Sequence, residues 1–88
     1  MRDLVMVDPA TGTQVNYGEI CKKRSIGKAT VWLTHDADKK LWWIVAQKPG
    51  EPIACSGFIE ARREVCWETF LDLHEVSLAV MIAGKDYL

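Results

Sequence analysis

The segment from Phe58 to Ala83 constrains this chain most, because its carboxylates recur at helical spacing: Glu60, Glu64, Glu68, Asp72 and Glu75. At about 100° per residue these five fall within an arc of about 120°, opposite a stripe of Ile59, Cys66, Phe70, Leu73, Ser77 and Val80. The spacing predicts one long amphipathic helix, apolar inward and acidic outward, with Ser56 as its cap and Gly84 followed by Lys85 as its stop. Twenty-six residues is long for such a helix, long enough to allow a break near His74.

Upstream the periodicity changes. Asp8-Pro9-Ala10-Thr11-Gly12 reads as a turn between Leu4 to Val7 and Gln14 to Tyr17, which predicts a first hairpin. Ala29 to Thr34 and Leu41 to Gln47 are rich in Val, Ile, Trp and Thr and flank the polar tip His35 to Lys40, which predicts a second. Lys48-Pro49-Gly50-Glu51-Pro52 places Pro and Gly as a type II turn requires, and Ile53-Ala54-Cys55 then returns as a short strand. Strand signals first and a helix signal last predict an α+β fold: an antiparallel meander of four to five short strands against one C-terminal helix. At 88 residues and 49% hydrophobic, residues 1–88 are expected to form a single domain.

Two adjacent tryptophans, Trp42 and Trp43, must point to opposite faces of a strand. One of them faces away from the helix, where it is either covered by the first hairpin or left exposed as an anchor for a partner.

Charge is polarised along the chain. Residues 1–48 hold eight Lys or Arg and five Asp or Glu, a balance of +3, and residues 49–88 hold three and seven, a balance of −4, consistent with the net −1. Such separation steers encounters and selects partners. Carboxylates four residues apart destabilise an isolated helix by a few tenths of a kcal/mol each, so the acidic row costs stability. It reads either as a solvated face or as a row that occupies a Lys- or Arg-rich surface on a nucleic-acid-binding protein.

A basic stretch offers a different reading. Ile20 to Val31 has the spacing of a helix-turn-helix, with Lys22, Lys23, Arg24, Lys28 and Thr30 as candidate DNA contacts. Cys21 departs from the alanine and Ser25 from the glycine such a motif favours. Ala29 to Thr34 is richer in strand formers than helix formers, so the competing expectation is a basic loop entering a strand.

Catalytic signatures are lacking. Cys21, Cys55 and Cys66 with His35 and His74 form no local nucleophile and base pattern. Cys55, Cys66 and His74 are separated by eleven and eight residues, which matches no closed zinc pattern, and no metal or cofactor is expected. Gly18, Gly27, Gly50 and Gly57 are too scattered for a phosphate loop. The odd, sparse cysteine count and the absence of a membrane-length apolar run or a signal-like start predict reduced thiols, a cytoplasmic location and no membrane.

The expectation is therefore a non-enzymatic binding module. It would act as a stoichiometric inhibitor or adaptor docking on a larger nucleic-acid-binding machine, in the manner of small phage or mobile-element proteins that block nucleases or CRISPR complexes. Glu60, Glu64, Glu68, Asp72, Glu75, Trp42 and Trp43 would make the contact. The alternative is a DNA-binding regulator using residues 19–34, acting as a homodimer.

Overall fold

The computed structural model of the chain describes residues 2–9 and 11–84, the last two of these by their backbone alone. Five strands follow one another, β1 (Asp3–Val7), β2 (Gln14–Ile26), β3 (Ala29–Asp36), β4 (Leu41–Gln47) and β5 (Ala54–Ile59). They form one antiparallel sheet in the order β1-β2-β3-β4-β5. A 3-10 turn over Glu60–Arg62 leads into α1 (Arg63–Asp72) and α2 (Glu75–Gly84). The α+β meander expected from the sequence is the architecture observed.

Turn chemistry sets the connections. Glu51 donates its N–H to the Lys48 carbonyl at 3.0 Å with Gly50 at φ 77°, closing the type II turn that Pro49-Gly50 encodes. Ile26 pairs with Ala29 across a two-residue loop whose first member, Gly27, has φ 59°. A II′ hairpin requires glycine there.

β2 is the element that shapes the sheet. Thirteen residues of straight strand would span about 43 Å, well beyond the 29 Å longest extent of the molecule. It bends at Gly18, which has φ 96°, and the register slips between Ile20 and Lys22. A Cβ on Gly18 would lie 2.3 Å from the His35 carbonyl oxygen, so only glycine permits this approach. Beyond the bend, β1 and the first part of β2 curl over one face of the sheet. The buried Thr34 hydroxyl pins them by donating to the Tyr17 carbonyl at 2.8 Å.

The sheet is therefore covered on both sides. Val31, Leu33, Trp42, Ile44 and Ala46 meet Cys66, Phe70, Leu73 and Leu78 of the helices on one side, and Val45 meets Leu4, Tyr17 and Ile53 on the other. The double cover explains why β4 reads Leu-Trp-Trp-Ile-Val-Ala, apolar at successive positions rather than alternating. Trp42 takes the helix side. Trp43 takes the other, edge-on to Tyr17 at 5.8 Å between ring centroids, so the first hairpin covers it.

The single long helix is not formed. Phe58 and Ile59 end β5, Ser56 lies within that strand rather than capping a helix, and Leu73 adopts extended backbone (φ −64°, ψ 133°) between α1 and α2. A continuous 26-residue helix would reach about 39 Å and overhang the sheet. Breaking at Leu73 buries that side chain and turns α2 back so that Leu78 joins the core. The break also changes which residues face inward. Cys66, Phe70 and Leu73 are buried as the periodicity predicts, while Ile59 and Val80 are exposed.

The new helix start is stabilised locally. The His74 N–H donates to Ser77 Oγ at 2.9 Å, and the Ser77 N–H donates to His74 Nδ1 at 3.4 Å. This is a reciprocal capping box in which His stands at the cap and Ser at the third helical position. Lys85, the other half of the expected stop, lies outside the described residues.

Candidate functional site

α1 is anchored by its inner face. Cys66 and Phe70 are fully buried, and burying a phenylalanine contributes about 2–3 kcal/mol. The Arg24 guanidinium, on β2, stands 5.7 Å from the Phe70 ring and donates to the carbonyls of Phe70 and, at 3.2 Å, Leu71. A cation thus sits at the C-terminal end of the helix, where unsatisfied carbonyls concentrate negative potential. At the other end Arg63 lies over Trp42, 5.5 Å from the ring centroid, and Trp42 packs at 6.1 Å against Trp67.

With the inner face fixed, Glu64, Glu68 and Asp72 project from α1 at four-residue spacing, all exposed. Steps of about 6 Å along the axis separate them. Among the described residues the sole salt bridge joins His35 and Glu60, so these three carboxylates have no ionic partner there. Trp67 lies beside them, sharing a shallow cleft of about 280 Å³ with Arg63, Glu64 and Glu68. Its indole N–H is buried without an acceptor among the described residues.

The bounds of α1 leave out two members of the predicted row. Glu60 belongs to the 3-10 turn and pairs with His35 Nε2. The hydrogen bond from His35 holds the Glu60 carboxyl below its ordinary range. Glu75 opens α2, with its carboxylate beside Gly27 and within a cleft that Lys28 and Lys48 also line. The acidic face is therefore three residues long, not five.

The proposed aromatic anchors are placed inside. Trp42 is buried, stacked on His35 with 4.3 Å between centroids and 19° between planes. Trp43 is half-buried, and its ring is packed so tightly on Gly57 that a Cβ there would fall 2.9 Å from it. Neither indole is presented as a free anchor. Alternating apolar and polar side chains did not distinguish the two, because β4 is covered on both faces.

No helix-turn-helix forms from Ile20 to Val31. The segment is the second half of β2, a two-residue turn and the start of β3. It is not a loop either. The β-branched run Thr30-Val31 and the Gly27 turn favour a hairpin, and the pairing of residues 20–26 with β3, itself paired with β4 on its other side, secures it. The five candidate DNA contacts consequently diverge. Lys22 and Arg24 share the helix-covered face with Leu33 and Val31, Lys23 and Thr30 belong to the opposite face, and Lys28 occupies the turn. Lys22 stands over the Trp67 ring at 6.0 Å, so two of the five contact the helix layer.

The three thiols are free. Burial pushes Cys66 up to about 11 and also raises Cys21, the direction opposite to that of an activated nucleophile. Tyr17 is pushed up to about 12, chiefly by burial and then by the neighbouring Cys55. Among the described residues no group of three or more His, Cys, Asp or Glu side chains is placed to hold a metal ion, and no helix is long and apolar enough to cross a membrane.

A second acidic region lies beside the turn from β3 to β4, in a cleft of about 630 Å³ whose lining includes Asp3, Asn16, Glu19, His35, Asp36 and Asp38. Asp36 Oδ1 accepts from the Lys39 N–H at 3.1 Å and Asp3 Oδ2 from the Asn16 amide at 3.2 Å. Those carboxylates organise local turns and strand ends. No family model, no curated protein and no solved structure matches the chain.

Proposed function

We propose that this protein is a non-enzymatic binding module, an inhibitor or adaptor that docks the outer face of α1 on a basic surface of a nucleic-acid-binding protein. The observation that carries this reading is the row Glu64, Glu68 and Asp72, exposed and without ionic partners among the described residues, on a helix held rigidly from its other side. Like charges at that spacing work against the helix, and a Lys- or Arg-rich surface would turn the same repulsion into attraction. A partner that ordinarily holds phosphates would release or exchange counterions on binding, which predicts strong salt dependence.

The half-buried arginine contact makes such a module tolerant of charge. Arg24 secures the end of α1 from beneath, so the outer carboxylates are free of any structural task. Protamine, an arginine-rich protein, serves as the defined basic probe. Calorimetric titration should give binding to the wild type that weakens steeply as salt rises, and none to a folded Glu64→Lys, Glu68→Lys, Asp72→Lys variant. Equal binding by the two proteins would refute the reading.

A further inference from the structure

β5 is an edge of the sheet, with β4 on one side and no strand on the other among the described residues. Open edges offer a row of unpaired backbone donors and acceptors, and proteins usually blunt them with charge, proline or a bulge. β1, the opposite edge, is blunted in this way by Asp3 and by the register slip between Asp3 and Val5. β5 has none of these devices. Its sequence, Ala54-Cys55-Ser56-Gly57-Phe58-Ile59, is uncharged, and its pairing with β4 runs from Ala46–Ala54 to Leu41–Ile59 without a slip.

We propose that β5 pairs antiparallel with β5 of a second copy of this chain, joining two five-stranded sheets into one sheet of ten across a two-fold axis. The choice of a second copy rests on self-complementarity. A two-fold axis normal to the sheet keeps both helix layers on one side, so facing residues must come from the same face of each strand. Ala54, Ser56 and Phe58 share the helix face, and Cys55, Gly57 and Ile59 the other.

A register centred on Ser56 meets this condition. It sets Ala54 against Phe58 of the second copy and Cys55 against Gly57 of the second copy, small opposite large in the first case and small opposite smallest in the second. It also brings Ile59, 58% exposed, against Ile53 of the second copy. The uncharged run 53–59 is used in full, and Glu51 and Glu60 stay outside it, so no like charges oppose one another.

Sedimentation equilibrium across about 1 μM to 1 mM tests this. The mass should rise from 10.0 kDa toward twice that value. Ile59→Lys and, separately, Ile59→Asp place a charge on the exposed end of the edge, and each should raise the dimer dissociation constant by about tenfold or more while leaving the far-ultraviolet spectrum unchanged. In the wild type, amide exchange in residues 54–59 should slow as concentration rises. A mass of 10.0 kDa at every concentration, a dimer insensitive to both substitutions, or concentration-independent exchange in β5 would overturn the proposal.

Discussion

Arg24 and Leu71 lie on different layers of the molecule, yet the guanidinium of the first donates to the main-chain carbonyl of the second at 3.2 Å and to that of Phe70 beside it. A basic residue that the sequence groups with a candidate DNA-contacting stretch thus caps the helix that carries the acidic row. The charge polarity of the chain is spent partly within the fold. Charged hydrogen bonds of this kind contribute about 1.5–3 kcal/mol, so Arg24→Ala should destabilise the protein by about 2 kcal/mol in urea denaturation followed by tryptophan fluorescence. Arg24→Lys should recover only part of it, since an ammonium keeps the charge but lacks the planar guanidinium that packs beside the Phe70 ring.

The break between α1 and α2 rests on the His74 and Ser77 box. Removing one side of a helix cap costs about 1 kcal/mol, and both His74→Ala and Ser77→Ala should lose about that amount. Because the two side chains serve one motif, the double variant should lose less than the sum of the single ones. Thermal unfolding of the four proteins completes the cycle. Additive losses would show that the two residues act separately.

Thiol accessibility follows the layers. Cys21 and Cys55 are exposed, whereas Cys66 is fully buried against Cys21 and the sheet, with its ionisation pushed up to about 11. At pH 8 a disulfide reagent should titrate two thiols of the native protein and the third only in denaturant. Three thiols reacting together without denaturant would contradict the packing of α1.

Acid should weaken the His35 and Glu60 contact in a definite window. The folded-state ionisation of Glu60 lies below its ordinary value because His35 hydrogen-bonds the carboxylate. The contribution is present above the unfolded carboxylate range, about pH 4.3, and is lost as pH falls through the lowered value. The difference in melting temperature between the wild type and Glu60→Gln should therefore shrink as pH drops from about 5 to about 3. A difference that stays constant across that range would remove Glu60 from the account.

Much of the architecture was legible because local chemistry and tertiary packing agree. The Pro49-Gly50 turn, the strands flanking the His35 to Lys40 tip, and the opposite orientations of Trp42 and Trp43 all follow from turn residues and period-two alternation. The helix break was legible only as a consequence of length, which allows one near His74, since neither glycine nor proline marks Leu73 or His74. A buried leucine and an unconventional cap decide it, and both depend on where the sheet ends. Gly18 was likewise silent. Its role depends on the approach of the His35 carbonyl, a contact between segments seventeen residues apart that no local pattern encodes. The acidic spacing holds along α1, but the same periodicity, extended back into the 3-10 turn and forward through the break, draws in Glu60 and Glu75, which face other partners.

The most direct measurement is a nitrogen-15 amide titration of the protein with protamine at moderate salt. The account predicts shifts concentrated on residues 64–72 of α1, with Glu64, Glu68 and Asp72 at the centre and the Trp67 indole N–H moving with them. Shifts centred instead on Asp3, Glu19, Asp36 and Asp38, or spread evenly over every carboxylate, would contradict it.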